Sequence, residues 1–291
     1  MNYVKAATVN EAVELLRRTG SGGLLLAGGT DVMTAMNRTP ATPDTTVIDL
    51  GALEELKQIR ESIHALHIGA LVTDAQLAAS PLVQTWASAL AEAAAASAGP
   101  QVRNRATIGG NIGTASPSGD LITALWALDA TLTVAGPGGT TERKLDDVVT
   151  GVKRTDLAGQ VITEITIPKS PIRTFSTFEK MGKRKSMTIS FASAACAVTL
   201  TPAMDAIDDV RIAIGAVAPT TVRAAAAEAA LRGASLDETV IREKAELCRE
   251  AISPITDQRA TKWYRTEIVP GLVSRTLWRA IQTVKDKEAV K

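Results

Sequence analysis

Two short glycine-bearing stretches constrain this chain more than anything else in it. In Leu24-Leu25-Leu26-Ala27-Gly28-Gly29-Thr30-Asp31, an apolar, strand-like run stops at two glycines, and a hydroxyl and a carboxylate follow. Arg103-Asn104-Arg105-Ala106-Thr107-Ile108-Gly109-Gly110-Asn111-Ile112-Gly113 has the same grammar. Glycine takes positive φ without steric cost and admits a ligand to bare backbone. Consecutive N–H groups in a tight turn converge into a concave anion site. An isolated Gly-Gly is more often a plain turn, and Gly22-Gly23 and Gly138-Gly139 are two further pairs of this kind. Neither stretch is a P-loop, because no Gly-Lys-Ser/Thr follows, and neither carries G-x-G-x-x-G. In order along one chain, they suggest two loops meeting over one pyrophosphate.

The segments around them predict how each loop is held. Thr8-Val9-Asn10-Glu11 is a capping box, so a helix is expected there, ended by Gly20. Residues 23–27 are apolar without alternation, as in a strand buried on both faces. Residues 31–38 read as a short helix, which puts the first loop at a helix N-terminus and adds its dipole to the loop N–H groups. Short strands are expected at 47–50, Ile59 and 66–68, with a turn at 51–56. Thr73-Asp74-Ala75-Gln76 is a second capping box, and Pro81 ends its helix. The Ala-rich residues 82–98 predict one helix, broken by Gly99-Pro100 ahead of the second loop. Leu121, Ile122, Leu125 and Leu128 give an amphipathic helix whose start carries Asp120. Asp120 reads either as an N-terminal helix charge or as an acceptor for ligand hydroxyls. Strands are expected at 131–135 and 161–167, with 136–140 as a turn. Beyond about residue 172 the pattern becomes an antiparallel sheet (Phe175, Phe178, 192–200, 210–217). Helices follow at 221–232, 237–251 and 261–284, the last interrupted near Pro270. The basic cluster at 180–185 is either a solvated hairpin tip or a source of one positive charge for a phosphate or flavin.

Composition narrows the function classes. The chain has 291 residues, enough for two domains or one large one, and 32 Lys plus Arg against 31 Asp plus Glu argue against a basic nucleic-acid stripe. There is no apolar signal core and no membrane-length window, so a cytoplasmic location is expected. Cys196 and Cys248 are far apart and belong to no C-x-x-C, which disfavours an iron–sulfur cluster or zinc site in this chain. His64 and His67, flanking a strand-like run, are too few for a metal site, and no Ser-His-Asp or Cys-His nucleophile set is expected.

With these motifs in order, the sequence resembles the FAD-binding medium subunit of the molybdenum hydroxylases, the xanthine dehydrogenase and carbon monoxide dehydrogenase family. Besides the two loops, the resemblance rests on Ser116-Pro117-Ser118-Gly119-Asp120 and on Val161-Ile162-Thr163-Glu164-Ile165-Thr166-Ile167-Pro168. It also rests on Lys180-Met181-Gly182-Lys183-Arg184, Gly215-Ala216-Val217-Ala218-Pro219, and Ser253-Pro254-Ile255 leading to Trp263-Tyr264-Arg265. The resemblance implies an α+β protein. Residues 1–172 would form a two-lobed FAD-binding domain of the vanillyl-alcohol-oxidase type, with lobes at about 1–56 and 57–172. Residues 173–291 would form a smaller α+β domain. It places the FAD pyrophosphate on Leu25, Leu26, Ala27, Gly28, Gly29, Thr30, Asp31 and Val32, and on Thr107, Ile108, Gly109, Gly110 and Asn111. Asp120, Ile162 and Lys180 match further FAD-contacting positions. Ser97 stands where some eukaryotic members have an aromatic residue, so stacking from that site is absent. The implied role is electron transfer, with molybdopterin in a large partner subunit and [2Fe–2S] clusters in a small one, as a dimer of heterotrimers. The implied acceptor is NAD or another oxidant. No general acid or base is assigned. A self-contained flavin oxidase of the same fold, or a non-catalytic nucleotide-binding module, are the alternatives. The presence of two Tyr and two His disfavours the oxidase.

Overall fold

The computed structural model describes residues 1–184 and 187–289. Its architecture is α+β. Lys185, at the end of the basic cluster, lies outside the described residues. Asn2–Lys5, Thr46–Asp49 and Gly23–Leu26 form a parallel three-stranded sheet with Thr46–Asp49 in the middle. The helix Val9–Thr19 starts where expected: the Thr8 hydroxyl accepts from the Glu11 N–H, and Gly20 at φ +53° ends it. The strand Gly23–Leu26 is at the sheet edge, not buried on both faces, and all four residues are half-buried. An apolar run without alternation specifies two apolar faces, not that protein covers both of them. Here one leucine-rich face remains part-open beside the first glycine loop.

A five-stranded antiparallel sheet follows, in the order Ile59–Glu61, Ala65–Gly69, Val161–Pro168, Thr131–Gly136, Gly139–Lys144. The Gly138-Gly139 pair is a hairpin turn as expected, with Gly139 at φ +102°. The alanine-rich helix Ser88–Ala96 packs against the strand Thr174–Met181 of the next sheet, Ala89, Ala93 and Ala94 having no exposed surface. Small side chains let the helices approach closely. The expected single helix at 82–98 is two, Pro81–Trp86 and Ser88–Ala96, because Ala87 leaves helical geometry at φ −145°, ψ 50°. The Ala89 N–H then donates to Ser176 Oγ on the next sheet, 3.0 Å away, so tertiary contact takes up a donor at the start of the second helix.

That next sheet is antiparallel: Thr174–Met181, Ala192–Leu200, Ile207–Gly215 and Val222–Arg223. Every residue of Ala192–Leu200 is buried. The helix expected from 221 starts at Ala225, since Val222–Arg223 extends the sheet instead. The helix expected over 237–251 is Glu238–Ala245, continued as a 3-10 turn. The last helix, Lys262–Ala289, is not interrupted at Pro270. Proline removes the N–H that would bond the carbonyl four residues back. That carbonyl belongs to Thr266 and accepts from Arg249 Nη1 at 2.8 Å, so the helix continues without an orphaned acceptor. Among the described residues no helix is long and apolar enough to cross a membrane.

The helix Asp120–Ala127 is buried along its whole length, packed on the four-stranded sheet and on the helices Ser88–Ala96 and Ile108–Thr114. Thr123 Oγ1 lies 3.2 Å from Ser193 Oγ, and a Cβ on Gly215 would come within 2.1 Å of Thr123 Oγ1. This close approach points the first residue of the helix, Asp120, at the four-stranded sheet.

Candidate functional site

The two glycine stretches touch. A Cβ on Gly28 would lie 1.9 Å from the Arg105 carbonyl oxygen, so only glycine fits against that backbone. Thr114 Oγ1 donates to Asp31 Oδ2 at 3.1 Å, a second tie between them. In the first loop Gly29 has φ +80°, and the helix Val32–Arg38 leads away from it, with the Met33 N–H bonded to Gly29 O. Among the described residues the N–H groups of Gly28, Gly29, Thr30 and Asp31 have no acceptor. They are free to meet an anion.

The second stretch works differently from its sequence reading. Gly109 and Gly110 do not form an open turn; they lie in the first turn of the helix Ile108–Thr114, and neither has positive φ. Their N–H groups are already used. Ile108 donates to Val72 O, Gly109 to Ala70 O, Gly110 to Thr107 Oγ1 and Asn111 to Thr107 O. The glycines answer a need for space instead: a Cβ on Gly109 would lie 2.7 Å from Ala70 Cβ and 2.8 Å from Ala70 O. The Ala70 N–H in turn donates to Thr163 O, at an irregularity in the strand Val161–Pro168 just after Ile162. Ile162 is thereby held next to this network and packs in the core at 7% exposure. The free donors therefore lie in the first loop, while the glycines of the second stretch serve close packing on Ala70.

Asp120 and Lys180, read separately from the sequence, form one ion pair. Lys180 Nζ lies 2.6 Å from Asp120 Oδ2, and both side chains are 8% exposed. Ser190 Oγ donates to Asp120 Oδ1 at 2.6 Å, and Lys180 also donates to Thr188 O. Burial pushes the Asp120 carboxyl up, and the Lys180 ammonium and Ser190 hydroxyl oppose that rise. Lys180 is therefore not part of a solvated hairpin tip; it sits in the strand Thr174–Met181 facing inward. A cleft of about 310 Å³ opens beside it, lined by Lys180, Met181, Gly182, Arg184 and Thr188.

Sequence reasoning missed Asp74, which it used only as part of a capping box. Asp74 is 1% exposed, and its Oδ1 has no hydrogen-bond partner. Asn111 Oδ1, in the helix after the second stretch, is also buried without a partner. The signal for Asp74 was present but silent: a carboxylate at a helix start is ordinarily solvated. Three alanines hold left-handed backbone, Ala98, Ala115 and Ala216, at φ +37°, +47° and +64°. Such conformations persist only where surrounding contacts enforce them; the Ala216 N–H, for one, is bonded to Pro117 O at 2.7 Å.

The histidines serve the sheet. His67 Nδ1 lies 2.9 Å from Glu164 Oε1, and its Nε2 lies 3.1 Å from Ser62 Oγ. This order imitates a nucleophile triad. However, Ser62 Oγ also bonds both backbone groups of Ala65 at the hairpin turn, and Glu164 is shared with Arg60. Cys196 and Cys248 are buried in the second core; burial pushes Cys196 up and Cys248 to about 12, so neither is a ready thiolate.

Residues 1–170 match the family described as FAD binding domain in molybdopterin dehydrogenase, and residues 176–280 match CO dehydrogenase flavoprotein C-terminal domain. The chain belongs to the FAD-binding subunits of the molybdenum hydroxylases. The carbon monoxide dehydrogenase medium chain of Hydrogenophaga pseudoflava is 34% identical over 276 residues, covering 94% of this chain and 95% of that one. The FAD-subunit of nicotinate dehydrogenase from Eubacterium barkeri is 32% identical, covering 86% of each. Among solved structures, carbon monoxide dehydrogenase from H. pseudoflava superposes with a TM-score of 0.91 at 33% identity, over 98% of each chain. Quinoline 2-oxidoreductase from Pseudomonas putida 86 does so at 0.90 and 26% identity, again over 98% of each chain.

As an FAD-binding subunit, the chain pairs an FAD-binding domain with an α+β C-terminal domain. The residues present fit the cofactor. Its dianionic pyrophosphate matches the free N–H groups of the first loop without a lysine-rich pocket. The part-open leucine edge offers an apolar wall beside that loop.

Proposed function

We propose that this subunit carries FAD as the electron relay between [2Fe–2S] clusters of a small partner subunit and NAD or another acceptor, with a molybdopterin-bearing large subunit as the site of substrate oxidation. The observation that carries the proposal is kinship over nearly the full length with medium chains and FAD-subunits of dehydrogenases. We assign the assembly as a dimer of heterotrimers in the cytoplasm, and the domain boundary to about residue 172.

When bound, FAD supplies the one- and two-electron chemistry. The chain's residues do the rest. In this reading, residues 25–32 hold the pyrophosphate on backbone donors, and residues 107–111 set the distance between the lobes. Ile162 packs against the cofactor, and Asp120 holds the Lys180 ammonium in place at the junction of the two domains, the two charges balancing each other.

The test is anaerobic reduction by substrate. The isolated chain, loaded with FAD, is mixed with purines, N-heterocycles, aldehydes or carbon monoxide, with and without iron–sulfur and molybdenum subunits. Flavin bleaching should require those partners. Rapid bleaching of the isolated chain by an organic substrate overturns the proposal in favour of a self-contained oxidase. FAD should also be held non-covalently, since neither glycine stretch contains Cys or His. Acid precipitation should release all the yellow chromophore, and flavin remaining on the denatured chain would contradict this.

A further inference from the structure

The arginine of Trp263-Tyr264-Arg265 is buried far from either glycine stretch in sequence. Arg265 lies in the first turn of the helix Lys262–Ala289 and is 4% exposed. A buried cation is costly unless its surroundings satisfy it. Here the guanidinium meets one carboxylate and two carbonyls. Its Nη2 donates to Asp257 Oδ1 at 2.8 Å. Its Nη1 donates to Phe191 O at 3.0 Å and to Ala216 O at 2.6 Å. Among the described residues its buried Nε has no partner, so Arg265 is not placed for the best satisfaction of its own charge.

Both carbonyls belong to segments that hold the Lys180–Asp120 pair. The Phe191 N–H donates to Met181 O at 2.7 Å, next to Lys180 in the strand Thr174–Met181. Ser190, one residue earlier, gives its hydroxyl to Asp120 Oδ1. The Ala216 N–H donates to Pro117 O at 2.7 Å, in the turn that leads into the helix starting at Asp120. Ala216 holds φ +64°, which surrounding contacts must enforce. Phe191 and Ala216 are thus each gripped twice, by the pair's own segments at N–H and by Arg265 at C=O. The fork itself is anchored from behind. Asp257 Oδ1 also accepts from the N–H groups of Arg259 and Ala260, at 2.8 and 3.1 Å. The Tyr264 ring meets Phe191 edge-on, with centroids 6.2 Å apart.

We propose that Arg265 is a positioning residue for the cofactor: by bridging Phe191 O and Ala216 O, it sets Lys180 and Asp120 relative to each other. This rests on the reading of Lys180 and Asp120 as FAD-contacting residues. Arginine suits the task because its planar fork fixes the directions of several hydrogen bonds at once. A lysine keeps the charge but offers a compact ammonium on a flexible stem.

The experiment uses the full-length chain and two readouts. One is the FAD dissociation constant, from flavin fluorescence. The other is the rate at which an amine-acylating reagent modifies Lys180 in the apo chain, followed by peptide mass spectrometry. Lys180 is 8% exposed and ion-paired, so it should react slowly in the wild type. Arg265→Lys should weaken FAD binding about tenfold, a coupling of the size found within one hydrogen-bonded network. It should also speed Lys180 acylation. Arg249→Met is the control, because it removes the donor to the Thr266 carbonyl of the same helix. It should lower the melting temperature while both readouts stay at wild-type values. If Arg265→Lys does not fold, Asp257→Asn takes its place; it spares both carbonyl bonds but removes the charge behind the fork, and should move both readouts the same way by less. Wild-type readouts in the folded variant overturn the inference. So do equal changes in that variant and in Arg249→Met, which would trace them to lost stability. Weaker FAD binding with unchanged acylation overturns the route through Lys180. Faster acylation with unchanged FAD affinity overturns the reading of Lys180 and Asp120 as cofactor contacts, and the inference with it. A wild type that binds no FAD would overturn the FAD-binding reading itself.

Discussion

Replacing Gly28 with alanine is expected to strip FAD from the protein. The new Cβ would lie 1.9 Å from the Arg105 carbonyl oxygen, 2.7 Å from its carbon and 3.1 Å from Ala106 Cα. All three are backbone atoms, so no rotamer change relieves the clash, and the two glycine stretches must separate. Overpacking of this kind costs about 1–3 kcal/mol in stability. The larger effect falls on binding, because the free N–H groups of the first loop are positioned against the second stretch by that contact. A loss of about 2.7 kcal/mol, or roughly a hundredfold in affinity, is expected. Gly109→Val should act in the same direction through Ala70. The control is Gly138→Ala: a Cβ there meets nothing within 4 Å, and FAD content and melting temperature should stay at wild-type values. Equal FAD loss in Gly28→Ala and Gly138→Ala would trace the effect to general misfolding and remove the support for the cradle.

Lys180→Ala is expected to be strongly destabilising. The ammonium sits 2.6 Å from Asp120 Oδ2 with both side chains 8% exposed, so solvent screens the pair little. Removing one partner of a buried pair costs about 3–5 kcal/mol, mainly because the other charge stays buried alone. Burial already pushes Asp120 up, and without Lys180 it rises further. The folded variant then retains a proton that the unfolded chain gives up above the ordinary aspartate value of about 3.9. Its stability accordingly falls as pH rises above that value, and the deficit relative to wild type is largest at neutral and alkaline pH. Urea unfolding at acid and alkaline pH measures this directly. The double variant Lys180→Met/Asp120→Asn, which buries no charge, should recover most of the stability while remaining poor at holding FAD. A Lys180→Ala variant with wild-type stability at every pH would mean that the pair contributes nothing to the fold.

The sequence by itself determined what depends on neighbours along the chain. Thr8 and Thr73 start helices because a hydroxyl three residues ahead of a backbone N–H caps it wherever the helix is placed. Gly20 ends a helix and Gly139 turns a hairpin because positive φ is a property of one residue. The paired glycine stretches, taken in order with the motifs after them, also pointed to the family and to FAD. Tertiary structure alone decided what depends on partners distant in sequence. Pro270 stays inside a helix because Arg249 takes the carbonyl it frees, and the strand Gly23–Leu26 is an edge because no strand among the described residues pairs its far side. The second glycine pair is required for space against Ala70, with its N–H groups already used by Ala70 and Thr107. Asp120 and Lys180 become one buried ion pair, and Asp74 an unpartnered buried acceptor. Periodicity and capping are local energies that a sequence window contains. Burial, close backbone approach and charge pairing are set by which surfaces meet once the chain has folded, and no window of the sequence contains them.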